Sequence, residues 1–171
     1  LDDAGGAAAA DRRRSLRGLT LIIHSKSLER FLEEDAMLLQ PYLMFDGKCE
    51  EAFEFYQKAL GAEKTMLLRF SESPEPTMAP PGCENKIMHM QFRIGEQIVM
   101  ASDGRCQGKP TFEGISLTLT LDNEAEADKA FAALVDGGKI QMPLAKTFFS
   151  PRFGILTDRF GVSWMIFTRP H

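Results

Sequence analysis

KTFFSPRFGILTDRFGVSWMIFTRP, residues Lys146 to Pro170, is the stretch whose reading decides the fold of this chain. Asp158-Arg159-Phe160-Gly161 places Asp at the first and Gly at the fourth position of a four-residue turn. Apolar, β-favouring sequence flanks it, Phe153 to Thr157 before and Val162 to Thr168 after, so the segment reads as a β-hairpin. Within Val162 to Thr168, alternation puts Ser163, Met165 and Phe167 on one face and Trp164 on the other.

Upstream of the hairpin the pattern is strand, helix, strand. Gly114 to Leu121 alternates strictly, with Ile115, Leu117, Leu119 and Leu121 on one side and Ser116, Thr118 and Thr120 on the other. Asn123 and Glu126 have the spacing of a capping box, and Ala127, Ala130, Phe131, Leu134 and Val135 form an apolar stripe that Gly137-Gly138 ends. Lys139 to Met142 completes this half.

The same order of elements stands earlier in the chain. Pro41 to Phe45 is a short strand, and Asp46-Gly47 supplies a turn and N-cap for a helix from Lys48 to Leu60. Cys49, Ala52, Phe53, Tyr56 and Leu60 lie on one face of that helix, and Gly61 stops it. Ala62 to Phe70, Lys86 to Ile94 and Gln97 to Ser102 read as strands, the last two joined by a turn at Gly95-Glu96. Pro74, Pro76, Pro80 and Pro81 make Ser71 to Asn85 a long exposed loop without regular hydrogen bonding. The result is a duplicated βαβββ unit of α+β class. One sheet face of each unit is covered by its helix, and the opposite faces curl into an incomplete barrel around a cavity.

The wording TF-F-x-x-x-FG-x-x-TD-x-FGV-x-WMI, together with PYLMFDGKCEEAFEFYQKALGAE from Pro41 onward, resembles PhnB-like proteins over about 130 residues. That group is a branch of the vicinal oxygen chelate superfamily, with glyoxalase I and the extradiol dioxygenases. The resemblance implies a single domain over residues 37–171, with module one about 41–103 and module two about 114–170. Residues 1–36, with a low-complexity Gly5 to Ala10 and a basic Arg12 to Arg14 run, read as an appendage: a targeting peptide, a remnant of recombinant expression or an over-extended gene start. A short helix fits Ser27 to Gln40.

Catalytic members of the superfamily hold a divalent cation with His, Gln and Glu side chains from the first, fourth, fifth and eighth strands. Carrying those positions across gives Pro41 (or Gln40), Met100, Ser116 and Met165. Such neutral side chains do not offset the lost hydration of a dication, so no metal site and no cofactor are expected. His89, Gln40, Gln91, Asp103 and Glu96 remain as ligands for a metal-dependent alternative. Relatives of this kind often carry a His at position 89. It is a candidate general base, or else a hydrogen-bonded core or interface residue.

The leading expectation is a small organic ligand in the barrel, lined by Ser116, Thr118, Met100, Met165, Phe167, Phe148 and Phe149. The alternatives are a metal-dependent lyase, isomerase or dioxygenase, and a noncatalytic dimeric module. Trp164, Asp158 and Cys49 read as structural, while Lys146 and Arg152 are either anion contacts or an exposed rim. Many relatives carry a ubiquinone-pathway methyltransferase label, but no Gly-rich strand-to-helix loop followed by an acidic ribose ligand is present.

Bulk composition narrows the partners. A net charge of -4 gives no basic field for nucleic acid, and no apolar run reaches the roughly 18–20 residues that span a bilayer. Three cysteines, Cys49, Cys83 and Cys106, without metal-type spacing point to reduced thiols and a cytoplasmic setting, or an organelle if residues 1–36 are a transit peptide. Strand edges left at the barrel rim point to a homodimer.

Overall fold

Two four-stranded sheets, each with one helix on its inner face, form the fold. The computed structural model describes residues 37–75, 79, 81–106 and 110–170. The expected appendage 1–36 lies outside the described residues, and Met37 to Gln40 are not helical. Module one comprises β1 (Tyr42–Met44), α1 (Cys49–Leu60), β2 (Glu63–Arg69), β3 (Ile87–Ile94) and β4 (Gln97–Ser102). Module two comprises β5 (Leu117–Leu121), α2 (Glu124–Leu134), β6 (Lys139–Ala145), β7 (Phe153–Thr157) and β8 (Ser163–Thr168). The strand orders are β1-β4-β3-β2 and β5-β8-β7-β6, with β1 parallel to β4 and β5 parallel to β8. The duplicated βαβββ architecture is therefore present in both halves.

Equivalent hydrogen bonds make the duplication visible where residue identity does not. After β4, Asp103 donates its N–H to the Ile87 carbonyl and accepts the Ile87 N–H on Oδ2. At the end of β8, Thr168 donates its N–H to the Arg152 carbonyl and accepts the Arg152 N–H on its hydroxyl. Counting back three residues from each, Met100 and Met165 occupy corresponding places. Their parallel partners, Tyr42 and Thr118, correspond as well.

Local chemistry accounts for most element ends. Gly61 closes α1 in the left-handed region at φ 68°, its N–H bonded to the Gln57 carbonyl. Asn123 caps α2 by accepting the Glu126 N–H. The start of α1 differs from expectation: Asp46-Gly47 forms a left-handed turn, Lys48 is the N-cap without a side-chain bond, and the buried Asp103 carboxylate accepts the Cys49 N–H at 2.7 Å. The orphan donor of a helix start is thus satisfied by a residue 54 positions away. β6 continues through Pro143 to Ala145, which an edge strand with irregular register tolerates because no ladder bond is demanded there. The Pro-rich segment also departs from a purely exposed loop, since it begins with a 3-10 turn, Phe70–Glu72, and buries Phe70 and Cys83.

One apolar core spans both modules. Leu43, Phe45, Ile87, Met90, Phe92, Val99 and Ala101 pack with Ala52, Phe53 and Tyr56 of α1, and continue into Leu156, Trp164 and Ile166 with Phe131 and Leu134 of α2. The hairpin turn pins the halves together. Asp158 Oδ1 accepts the Phe160 and Val162 N–H groups, and Oδ2 accepts Trp164 Nε1–H at 2.9 Å and Tyr56 Oη–H at 2.7 Å. Asp158 and Trp164 are therefore structural. Cys49 is as well, because burial, then Asp103 and Glu50, push its thiol far above the ordinary range. No helix among the described residues is long and apolar enough to cross a membrane.

Candidate functional site

The faces of the two sheets turned away from the helices carry the candidate site residues. Cross-strand register places Tyr42, Met100, Gln91 and Met66 in one row of sheet one, with Met44 paired to Ser102 in the next and His89, two residues before Gln91 in β3, on the same face. In sheet two, Thr118, Met165 and Ile155 form one row, and Thr120, Phe167 and Phe153 form another. Ser163 begins the same side of β8, and its hydroxyl hydrogen-bonds that of Ser116 at 2.7 Å.

The segment before β5 lines two clefts, one beside each module. One cleft, of about 850 Å³, is lined by Ser116, Ser163, Met165, Gln141, Thr157 and the segment 110–115. A second, of about 510 Å³, lies between that segment and Tyr42, Met44, Gly104 and Arg105. A third, of about 610 Å³, sits on the helix side, lined by Lys48, Glu51, Glu54, Lys58, Asp136 and Arg159. Arg159 there is held by Asp136 and lies over the Phe55 ring.

The expected pocket residues do not all meet. Ser116 and Met165 line the larger cleft, and Thr118 is the register partner of Met165 on the same face. Met100 belongs to the open face of sheet one. Phe167 lies at the other end of β8, stacked on Phe149 with centroids 6.4 Å apart, and Phe149 also meets Phe153 edge-on. Phe148 projects fully into solvent, touching only Phe149 among the aromatic contacts. Lys146 is not among the lining residues of any of these clefts, and Arg152 pairs with Glu124 and Asp128 at 3.1 Å each, tying β7 to the start of α2.

His89 is held by two partners. Its Nδ1 is 3.2 Å from Tyr42 Oη, and its Nε2 is 3.3 Å from Gln91 Nε2. With the Gln91 amide donating, Nε2 accepts and the ring proton sits on Nδ1, directed at the phenol oxygen. A base at this position reaches substrate only by displacing one of these partners. Tyr42 was hidden from sequence reasoning because strand landmarks alone set Pro41 opposite Met100. In the structure the Pro41 carbonyl accepts the Met100 N–H, and the side chain facing the open side in this row is that of Tyr42. Gln141 and Thr157, hydrogen-bonded to each other, were also missed, since nothing but β6–β7 pairing sets them beside Ser163.

The superfamily's divalent ion can be tested against this donor set. Of the four expected positions, Met100 and Met165 stand, but their register partners are Tyr42 rather than Pro41 and Thr118 rather than Ser116, so the set supplies two thioethers, a phenol and a hydroxyl. Hard or borderline dications are held mainly by carboxylate, imidazole and carbonyl oxygen donors, and a set of two thioethers, a neutral phenol and a hydroxyl does not fit. Among the described residues no group of three or more His, Cys, Asp or Glu is gathered as a metal site. Asp103, one of the alternative ligands, is committed to the backbones of Cys49 and Ile87.

The family model described as 3-demethylubiquinone-9 3-methyltransferase matches residues 38–167. The chain belongs to the PhnB-like family. This PhnB-like chain is 37% identical over 138 residues to Protein YjdN of Escherichia coli, a match covering 76% of the chain and 94% of YjdN. Its fold matches the crystal structure of PA1353 from Pseudomonas aeruginosa at a TM-score of 0.70 with 41% identity, covering 78% of this chain and 98% of that one. The PhnB protein of Bacillus cereus matches at a TM-score of 0.66 with 33% identity, over 77% and 99% of the respective chains. The fold is the vicinal oxygen chelate fold.

Proposed function

We propose that this PhnB-like protein binds a small, uncharged, polar organic molecule in the cleft beside Ser116 and Ser163, without a divalent metal. The carrying observation is the lining itself. The Ser116–Ser163 pair, Thr157 and Gln141 offer hydroxyl and amide groups, Met165 an adaptable apolar wall, and Glu113 is the one charged lining residue among those described. An anionic ligand would find no cation there to replace its hydration. Methyl transfer is not part of the proposal, because the sequence carries no Gly-rich strand-to-helix motif followed by an acidic ribose ligand.

The protein acts as a homodimer in this reading. Tyr42, Met44 and Met66 on sheet one and Met142 and Phe149 on sheet two or its loop are exposed, and β2 and β6 are open edges. A second copy covering these surfaces removes both liabilities. The free thiols of Cys49, Cys83 and Cys106 support a reducing, cytoplasmic setting.

The test combines metal analysis with ligand screening. Protein purified without chelators should contain well under one equivalent of metal and take up no zinc, nickel, manganese or ferrous iron stoichiometrically. Thermal-shift screening should then favour neutral hydroxylated compounds over phosphonates, with the response lost in Ser163→Ala. Tight uptake of one divalent ion per site would replace this reading with a metal-dependent lyase or dioxygenase.

A further inference from the structure

We propose that the open face of sheet one holds a site for a soft monovalent cation, Cu(I), built from His89, Met66 and Met100. The three donors stand around one residue. Gln91 is the register partner of Met100 on one side and of Met66 on the other, and His89 lies two residues before it in β3. Paired residues share a sheet face, as do residues two apart on a strand, so all three side chains rise from the face that carries Gln91. Met66 is exposed there, and His89 and Met100 are half-buried.

His89 is already oriented as a ligand. Tyr42 Oη, 3.2 Å from Nδ1, takes the ring N–H, which leaves the Nε2 lone pair directed at the Gln91 amide 3.3 Å away. Metal-bound imidazoles share this arrangement, in which a partner holds the far N–H so that one nitrogen alone faces the ion. The lone pair therefore points into the place that the two thioethers flank. Paired strands lie about 4.8 Å apart, which sets the Cα atoms of Met66 and Met100, on either side of β3, about 10 Å apart. Three rotatable bonds let each sulfur lean over the Gln91 amide, which the ion displaces. Met44, on the same face, lays its sulfur beside Gly104 and takes no part.

The donor chemistry selects the ion. Thioether sulfur brings no charge to a hard dication, but it is a preferred donor for Cu(I), and imidazole suits copper as well. Sheet two supplies an internal comparison. Its matching row is Thr118, Met165, Ile155 and Met142, so the two thioethers recur, but Phe153 stands where sheet one has His89. One ion per chain, held in module one, is therefore expected. None of the three donors lines the Ser116 cleft, and the proposal does not depend on the ligand reading above.

Full-length protein, isotope-labelled at the methionine methyls, is titrated anaerobically with Cu(I) against a chromogenic copper chelator, with Ag(I) as a redox-inert check. One equivalent should be retained, and the Met66 and Met100 methyl signals should shift while those of Met142 and Met165 stay. His89→Phe, which copies sheet two, and Met66→Leu should each lose the retained equivalent, with the fold checked by circular dichroism. Tyr42→Phe should weaken retention about tenfold or more and move the His89 ring-nitrogen resonances. Loss of the retained equivalent in Cys106→Ser, with the methionine signals unmoved throughout, would assign the ion to a thiol and overturn the proposal. Failure to retain the ion, or equal shifts in both sheets, would overturn it as well.

Discussion

Removing a single oxygen from Tyr56 tests how the modules are joined. Tyr56 is fully buried, and its hydroxyl donates to Asp158 Oδ2 at 2.7 Å across 102 residues of sequence. In Tyr56→Phe the ring contacts with Phe92 and Trp164 are kept, and Asp158 still accepts from Trp164 and two backbone N–H groups. The loss is one hydrogen bond to a carboxylate, about 1.5–3 kcal/mol. At roughly 2–4 °C per kcal/mol for a domain of this size, the melting temperature falls by about 3–12 °C at neutral pH. The pH dependence adds a second signature. Burial, then the charge and hydrogen bond of Asp158, then Cys49 raise the Tyr56 phenol well above its ordinary value. A raised native value means this group's contribution is complete below the unfolded value of about 10 and is lost as pH rises beyond it. The gap between wild type and variant therefore narrows above about pH 10. Thermal melts at pH 7 and in alkali read both; a shift of less than about 1 °C at pH 7, or a gap unchanged in alkali, would refute the reasoning.

Three other perturbations follow from the packing. Gly138→Ala drives a Cβ against the Thr157 carbonyl and to 2.9 Å from Asp158 Cα, backbone that has nowhere to move, so denaturant unfolding should show a loss of about 2–3 kcal/mol. Asn123→Ala removes the acceptor for the Glu126 N–H and should cost about 1 kcal/mol in the same assay, with Asn123→Asp restoring most of it. Cys49, with its thiol shielded and pushed high, should resist iodoacetamide in the native protein and react only at the unfolding rate, measured by peptide mass spectrometry in graded urea.

Local patterns in the chain were sufficient for the order of elements. The Asp158–Gly161 turn, the strict alternation of β5, the Asn123 cap and the Gly61 stop are short-range chemistry. The turn, the cap and the stop appear where the sequence places them, while β5 alternates only over Leu117–Leu121, because Gly114 lies in a turn and Ile115 and Ser116 precede the strand. Alternation also assigned Met165 and Phe167 to one face and Trp164 to the other, because a strand has a period of two whatever surrounds it. What periodicity could not supply was register between strands and distance across the chain. Register exchanged Pro41 for Tyr42 opposite Met100. Tertiary approach brought Asp103 to the start of α1 and separated Phe148, Phe149 and Phe167 from the Ser116 cleft. A residue's own neighbours fix its conformation and facing. Its partners across 20 to 100 residues depend on how two sheets and two helices close on one core, and only the folded chain determines that.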